Sequence, residues 1–242
     1  MSEFEFKAID KEGMETLEAI SQAKRFNRWM YETIKPFCQG RVFEIGSGIG
    51  NISQQFIDDG RKITVSDIRD NYCDYLTNHF GDKVEDVINM DITDPDFDTK
   101  HKDLMGTFDS VFALNIVEHV KDDKLAIANA KKLLKTGGNL IILVPAYQWL
   151  YNRFDKELEH YRRYTIDSLS ELFTVNGLKI THKQYFNFFA IFGWWFSGSV
   201  LKKKTIPEGQ MKLYDSLVPV FKLIDKIVLN KMGISAIVVG EK

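Results

Sequence analysis

The residues with the plainest chemical promise are the glycines of Val42-Phe43-Glu44-Ile45-Gly46-Ser47-Gly48-Ile49-Gly50-Asn51. An apolar run feeds into glycine at alternate positions and then into a helix-compatible segment. Glycine is needed where backbone turns tightly and must approach a ligand with no Cβ in the way. The spacing is GxGxG, with Asn51 where a dinucleotide-binding GxGxxG loop carries its third glycine. Glu44 stands just before the first glycine. Farther along, Asp67, Asp91 and Asn115 each close an apolar, strand-like run. Two more groupings carry titratable side chains: Glu118-His119, and Asp155 through Thr165, which includes His160, Tyr161, Arg162 and Arg163.

Taken in order, this series resembles the cofactor motifs of class I S-adenosylmethionine-dependent methyltransferases, over roughly residues 14–180. The resemblance implies a Rossmann-like α/β fold. Its seven-stranded sheet would be mostly parallel with the last strand reversed, with helices on both faces. It also implies S-adenosylmethionine as cofactor and S-adenosylhomocysteine as product. Under it, Asp67 suits the ribose hydroxyls, and Asp91 suits the adenine amine, with residues 89–92 supplying apolar side chains beside the ring. Glu44 suits the cationic end of the methionine moiety. The implied cofactor set is Glu44, Gly46, Ser47, Gly48, Gly50, Asn51, Asp67, Ile68, Asp91, Ile92 and Asn115. A helix cap explains Asp91 equally well.

Methyl transfer from a sulfonium is an in-line displacement, so the protein mainly aligns donor and acceptor and excludes water. A base is needed only where the acceptor must lose a proton. Glu118-His119 resembles the EH pair of the small-molecule and quinone-precursor branches of the family, with His119 a base or substrate contact. Asp155 to Thr165 is similar to a D…HxRRYT segment in a bacterial subgroup of the type 11 and type 12 families, associated with glycan, lipid or secondary-metabolite pathways. There His160 is a second catalytic candidate, and Glu118, Tyr161, Arg162 and Arg163 are substrate-binding candidates, the arginines suiting phosphate or carboxylate. Two structural readings stand beside these: His119 bracing its loop, and Asp155 pairing with an arginine to order the next one. Glu118 and His119 alone are two ligands and do not make a metal site.

Residues 114–117 read Leu-Asn-Ile-Val, not the Asn/Asp-Pro-Pro-Tyr/Phe of nucleobase amine methyltransferases. Neither cysteine, Cys38 or Cys73, lies where a cytosine C5 nucleophile would. A formal net charge of −2 gives no general grip on nucleic acid. The expected partner is a small-molecule acceptor.

These residues need elements to position them. A helical pattern over 14–37 ends at Pro36. From 41 to 144, strand-like and helix-like segments alternate, which implies βαβ units and a parallel sheet. Strands are predicted over 41–45, 62–66, 84–89, 108–114 and 139–144, with late strands over 178–185 and 234–239. Predicted helices start at Asn51, after Asp67, at Asp122-Asp123 and at Thr165 or Asp167. The third of these is predicted to end at Lys135, before Gly137-Gly138. Two cysteines without a CxxC, behind a polar N-terminus, read as a cytoplasmic protein.

Between the late strands, residues 187–232 form an insertion. Residues 185–201 carry no charge but include Asn187, Gly193, Ser197, Gly198 and Ser199, too polar for a spanning helix. Three readings stay open: a helical subdomain packed on the sheet, a lid over an apolar pocket, or a membrane-peripheral surface through 186–204 with aromatics inserted and lysines at headgroups. The domain reading is N-terminal helices covering the cofactor site (1–40), a methyltransferase core (41–186 and 233–242) and the aromatic insertion or lid (187–232). The sequence thus predicts methyl transfer to an O or N atom of a small acceptor, lipophilic or lipid-linked. The rivals are a nicotinamide-dependent oxidoreductase and a noncatalytic cofactor-binding scaffold.

Overall fold

The computed structural model describes residues 11–200 and 208–242. Seven strands form one sheet: β1 (Val42–Ile45), β2 (Thr64–Asp67), β3 (Asp86–Asn89), β4 (Phe108–Leu114), β5 (Leu134–Pro145), β6 (Lys179–Phe186) and β7 (Ser235–Glu241). Their order is β3-β2-β1-β4-β5-β7-β6. All neighbours are parallel except β7, which runs antiparallel to both β5 and β6. The chain winds outward from β1 in one direction and from β4 in the other. The carboxyl ends of these two strands therefore part at a crevice, where open α/β sheets bind ligands.

Helices are α1 (Lys11–Ser21), α2 (Lys24–Ile34), α3 (Ser53–Asp58), α4 (Asp70–Phe80), α5 (Phe97–Lys100), α6 (Asp123–Leu133), α7 (Arg153–Glu157), α8 (Ile166–Val175), α9 (Ala190–Trp194) and α10 (Glu208–Ile227). Alternate strand residues face opposite ways. Phe43, Ile45, Val111, Ala113, Leu140, Ile142 and Val238 pack with α6 and α8 through Ile127, Leu133, Leu169 and Phe173. Val42, Phe112, Ile141, Leu143, Ile237 and Val239 pack on the other face with Tyr31, Ile34, Phe56, Leu76 and Phe221.

Some boundaries differ from the sequence reading. The N-terminal helix is two, broken at Gln22-Ala23. Asn51 does not cap α3; its Nδ2 donates instead to the Leu17 carbonyl at 3.0 Å, tying α1 to the glycine turn. α6 ends at Leu133, and Gly137-Gly138 lies within β5, where the Gly137 amide donates to the Lys242 carbonyl. Tertiary pairing with the chain end overrides the helix-stop signal there. α8 is capped by Thr165 in a capping box with Ser168.

The insertion holds α9, a π-helical stretch at Trp195–Val200, and α10. α10 docks on α2, with Asp215 accepting from the Phe26 amide at 2.9 Å and Lys222 Nζ 2.7 Å from Glu32. The buried Asp225 carboxylate accepts from the amides of Asn187 (2.6 Å) and Phe188 (2.8 Å), fixing the exit from β6. Asp225→Ala strands both amides and is expected to lower unfolding free energy by about 1–3 kcal/mol in urea titration.

Candidate active site

The turn after β1 places its backbone at the crevice. Gly46 has φ +71°, and a Cβ there would fall 2.2 Å from Ile116 Cδ1, so the turns after β1 and β4 touch at a point that admits glycine alone. A Cβ on Gly48, φ +55°, would meet Leu17 of α1 at 2.8 Å. The Ser47 amide donates to the Ser66 carbonyl (2.7 Å), and the Gly50 amide to the Ser47 carbonyl (2.8 Å).

Asp67 ends β2, and its two carboxylate oxygens accept the amides of Gly48 and Arg69, each at 3.0 Å. Each oxygen keeps a lone pair. Burial raises its pKa, against these amide hydrogen bonds. Glu44, also buried, accepts a short hydrogen bond from the Ser53 hydroxyl of α3. Burial pushes its carboxyl up to about 7, opposed by the hydroxyls of Ser53 and Ser47.

Asp91 Oδ1 accepts from the Thr93 amide (2.8 Å) and hydroxyl (2.7 Å), which leaves Oδ2 for a ligand; Asp91 caps none of the described helices. Met90 and Ile92 are the exception to the expected apolar wall beside the ring: both side chains lie in the core with β4 and α6. The Ile92 carbonyl accepts from Asn129 Nδ2 at 2.8 Å. Ile68 is half-buried beside Asp67. Asn115 holds φ +55°, a conformation asparagine tolerates, at the exposed tip of β4.

The second half of the site follows β4 and β5. Glu118 is 0 % exposed, and neither carboxylate oxygen has a hydrogen-bond partner. Burial pushes it up to about 8, with the nearby Arg163 pulling the other way. His119 is next on the same turn, its ring edge-on to His160 with centroids 4.6 Å apart. His160 Nδ1 lies 2.9 Å from Asp155 Oδ1. A carboxylate only accepts, so Nδ1 carries the proton and Nε2 presents its lone pair. Glu159, at φ +59°, supplies the tight turn that carries His160 back toward Glu118, and the Tyr161 amide donates to the Glu118 carbonyl at 2.8 Å.

Of the expected arginine pair, Arg163 is committed to the loop. Its Nε donates to Asp155 Oδ1 at 2.7 Å and its Nη1 to the Ala146 carbonyl at 3.0 Å, with side-chain exposures of 1 % and 0 % for the ion pair. Burial would raise the Asp155 pKa, but His160 and Arg163 outweigh it and hold the carboxyl low. Arg162 is partly exposed and pairs with Asp123 at 2.8 Å, which also accepts from the Tyr164 hydroxyl at 2.9 Å.

The sequence reading missed Asp123 as a partner of this loop, having used it only as a helix start. It also missed Tyr147, which follows β5 with φ +63° and stacks on Tyr185 at 5.0 Å. Nothing in the local sequence signals that conformation, which is unusual for a bulky residue.

The fold is Rossmann-like, with the glycine turn and the acidic strand ends gathered at its crevice. Residues 7–183 match the profile of a family described as a methyltransferase domain. The chain belongs to that family and is an S-adenosylmethionine-dependent methyltransferase of class I. It is similar in structure to an S-adenosylmethionine-dependent methyltransferase from Archaeoglobus fulgidus, at 15 % identity and TM-score 0.59, covering 89 % of this chain and 94 % of that one. A methyltransferase from Thermotoga maritima matches at 16 % identity and TM-score 0.59, over 93 % and 94 %. Phosphoethanolamine N-methyltransferase 2 of Haemonchus contortus, in complex with S-adenosyl-L-methionine, matches at 18 % identity and TM-score 0.57, over 89 % of this chain and 52 % of that one. Among curated protein sequences, none matches.

Removing Asp155 would leave a buried guanidinium unpaired. Asp155→Ala is expected to lose about 3–5 kcal/mol of stability, read by chemical unfolding, whereas Arg162→Ala at the half-exposed pair is expected to lose less than about 1 kcal/mol.

Proposed function

We propose that this methyltransferase moves the donor's methyl group to an O or N atom of a small acceptor that meets the cofactor at Glu118, His119 and His160. The contact of Gly46 with Ile116 carries this reading, because it sets the glycine turn two residues from Glu118. The donor and polar cluster then share one crevice. In this assignment Asp67 holds the ribose, Asp91 Oδ2 the adenine amine, and Glu44 the methionine ammonium. The glycine turn, Ser47, Asn51, Ile68, Ile92 and Asn115 line the same cleft. The two buried carboxylates fit a group that brings hydroxyls and a positive charge. Tyr161 and Arg162 flank the acceptor, while Arg163 acts through Asp155. Free Cys38 and Cys73 accord with a cytoplasmic setting.

Calorimetric titration tests this directly. Wild-type protein is expected to bind S-adenosylmethionine and S-adenosylhomocysteine at micromolar concentration, with no heat from NAD, and Asp67→Ala to lose both. Binding of NAD alone would instead establish the oxidoreductase, and cofactor binding without turnover on any acceptor would favour the scaffold. The pH dependence follows from Glu44. Its proton must leave before it can receive an ammonium, so affinity is expected to rise about tenfold from pH 6 to 8 and to stay flat in Glu44→Gln.

A lipophilic or lipid-linked acceptor at a membrane surface is supported by a separate observation. α10 leaves an apolar stripe exposed at helical spacing, with Leu213 64 %, Val220 52 %, Leu223 58 % and Ile227 70 % exposed. Phe192, Trp195 and Phe196 are exposed on the neighbouring segment. Lys24, Arg25, Arg28, Lys222 and Lys226 line the groove between α2 and α10, which suits anionic headgroups. Lys202, Lys203 and Lys204 lie outside the described residues. No described helix is long and apolar enough to cross a membrane, so contact would be peripheral. Trp194, in the same insertion, packs on Phe154 (5.0 Å) and under Arg163 (4.7 Å), which links that surface to the acceptor end. The protein is expected to sediment with phosphatidylglycerol-containing vesicles at low salt, and Leu223→Glu with Ile227→Glu to abolish it. Failure of the wild type to sediment would remove the membrane reading.

A further inference from the structure

Glu118, His119 and His160 each offer a ligand atom, and these atoms lie within 4.8 Å of one another. Two observations beyond that proximity point to a ligand. The Glu118 carboxylate is fully enclosed with both oxygens unpartnered, and an enclosed carboxylate without a partner is costly. His160 is held through Nδ1 by Asp155, which leaves Nε2 directed elsewhere. Imidazoles that ligate metals are held in this way, by a carboxylate or backbone carbonyl on the nitrogen that does not ligate.

We propose that Glu118, His119 and His160 bind a divalent transition-metal ion of the Mn²⁺, Fe²⁺, Co²⁺ or Zn²⁺ kind, whose open positions take an oxygen of the methyl acceptor. Two imidazoles and one carboxylate match that class and leave several coordination positions free, whereas Mg²⁺ and Ca²⁺ prefer oxygen ligands throughout. Metal bonds of about 2.0–2.2 Å draw the three donors closer than they stand here, through side-chain rotation. His119 is exposed and gives an entry path. Two cations lie nearby: Arg163 is neutralised by Asp155, and Arg69 acts on His119 from the donor side.

The inference rests on the acceptor meeting the donor at this cluster, and it narrows the acceptor to one with a hydroxyl or phosphate oxygen. A divalent ion helps a hydroxyl lose its proton to water near neutral pH. The freed oxygen pair then forms the bond to the methyl carbon. The carbon–sulfur bond breaks with its electrons kept on sulfur, giving the thioether product.

Protein stripped with a chelator and titrated with Co²⁺ tests the site without turnover, by visible d–d absorption and by calorimetry. One equivalent is expected to bind. Glu118→Gln, nearly isosteric and without a buried charge, is expected to weaken it at least about tenfold, as is His119→Ala on the exposed side. Absence of stoichiometric Co²⁺ binding, or equal binding by Glu118→Gln, would overturn the metal site. S-adenosylhomocysteine binding to the stripped wild type is measured in parallel. Its retention with no Co²⁺ bound leaves the methyltransferase assignment standing, and its loss strikes that assignment instead.

Discussion

One carboxylate oxygen organises the loop that follows β5. Asp155 Oδ1 accepts from both the Arg163 guanidinium and the His160 imidazole, at 2.7 and 2.9 Å, in a place closed to water. A buried ion pair is weak as a source of stability, because desolvation consumes most of the Coulomb gain. It is strong as a constraint, because any loop conformation that separates the partners exposes an uncompensated charge to apolar surroundings. The segment after β5 is therefore held in one shape. Its other oxygen closes the capping box of α7 by accepting from the Asn152 amide. The same oxygen pair thus fixes a helix, a tautomer and an arginine.

The consequences spread outward from there. With Arg163 held, its Nη1 bonds the Ala146 carbonyl at the end of β5, and its face lies against Trp194 of the insertion. With the loop turned at Glu159, Tyr161 reaches the Glu118 carbonyl, so the turns after β4 and β5 are joined by backbone. Ile116, two residues earlier, closes on Gly46. Donor turn, polar cluster and insertion are linked in series through contacts that each tolerate little substitution.

Much of this was legible in the sequence where local rules decide. β4 lies over the residues its apolar run predicts, and Asp67 falls at the end of β2 as expected. Thr165 caps α8 because its box partner Ser168 is three residues on. The misreadings share a cause in long-range pairing. Gly137-Gly138 looks like a helix stop, but the chain end pairs beside it and makes it strand. Asn51 looks like a cap, but α1 arrives overhead and takes its side chain. For the site, residue types were readable and alliances were not. The sequence leaves Arg163 open as a ligand group or as the arginine that pairs with Asp155, and only folding shows that it is spent internally while Glu118 has no hydrogen-bond partner among the described residues.

Glu44, within β1, and Glu118, on the turn after the adjacent β4, are two enclosed carboxyls, both pushed up by burial. A fold that needed them only as packing could use glutamine or leucine at lower cost. Their environments differ in kind. Glu44 has two serine hydroxyls to temper its burial. Neither Glu118 oxygen has a hydrogen-bond partner among the described residues, and two imidazole nitrogens lie close by. Under the proposed assignment that contrast separates the two ends of one cleft: an organic cation would complete the β1 side, and something that accepts lone pairs from oxygen and nitrogen together the β4 side. Under that assignment each ligand would offset the desolvation cost at its own end of the crevice.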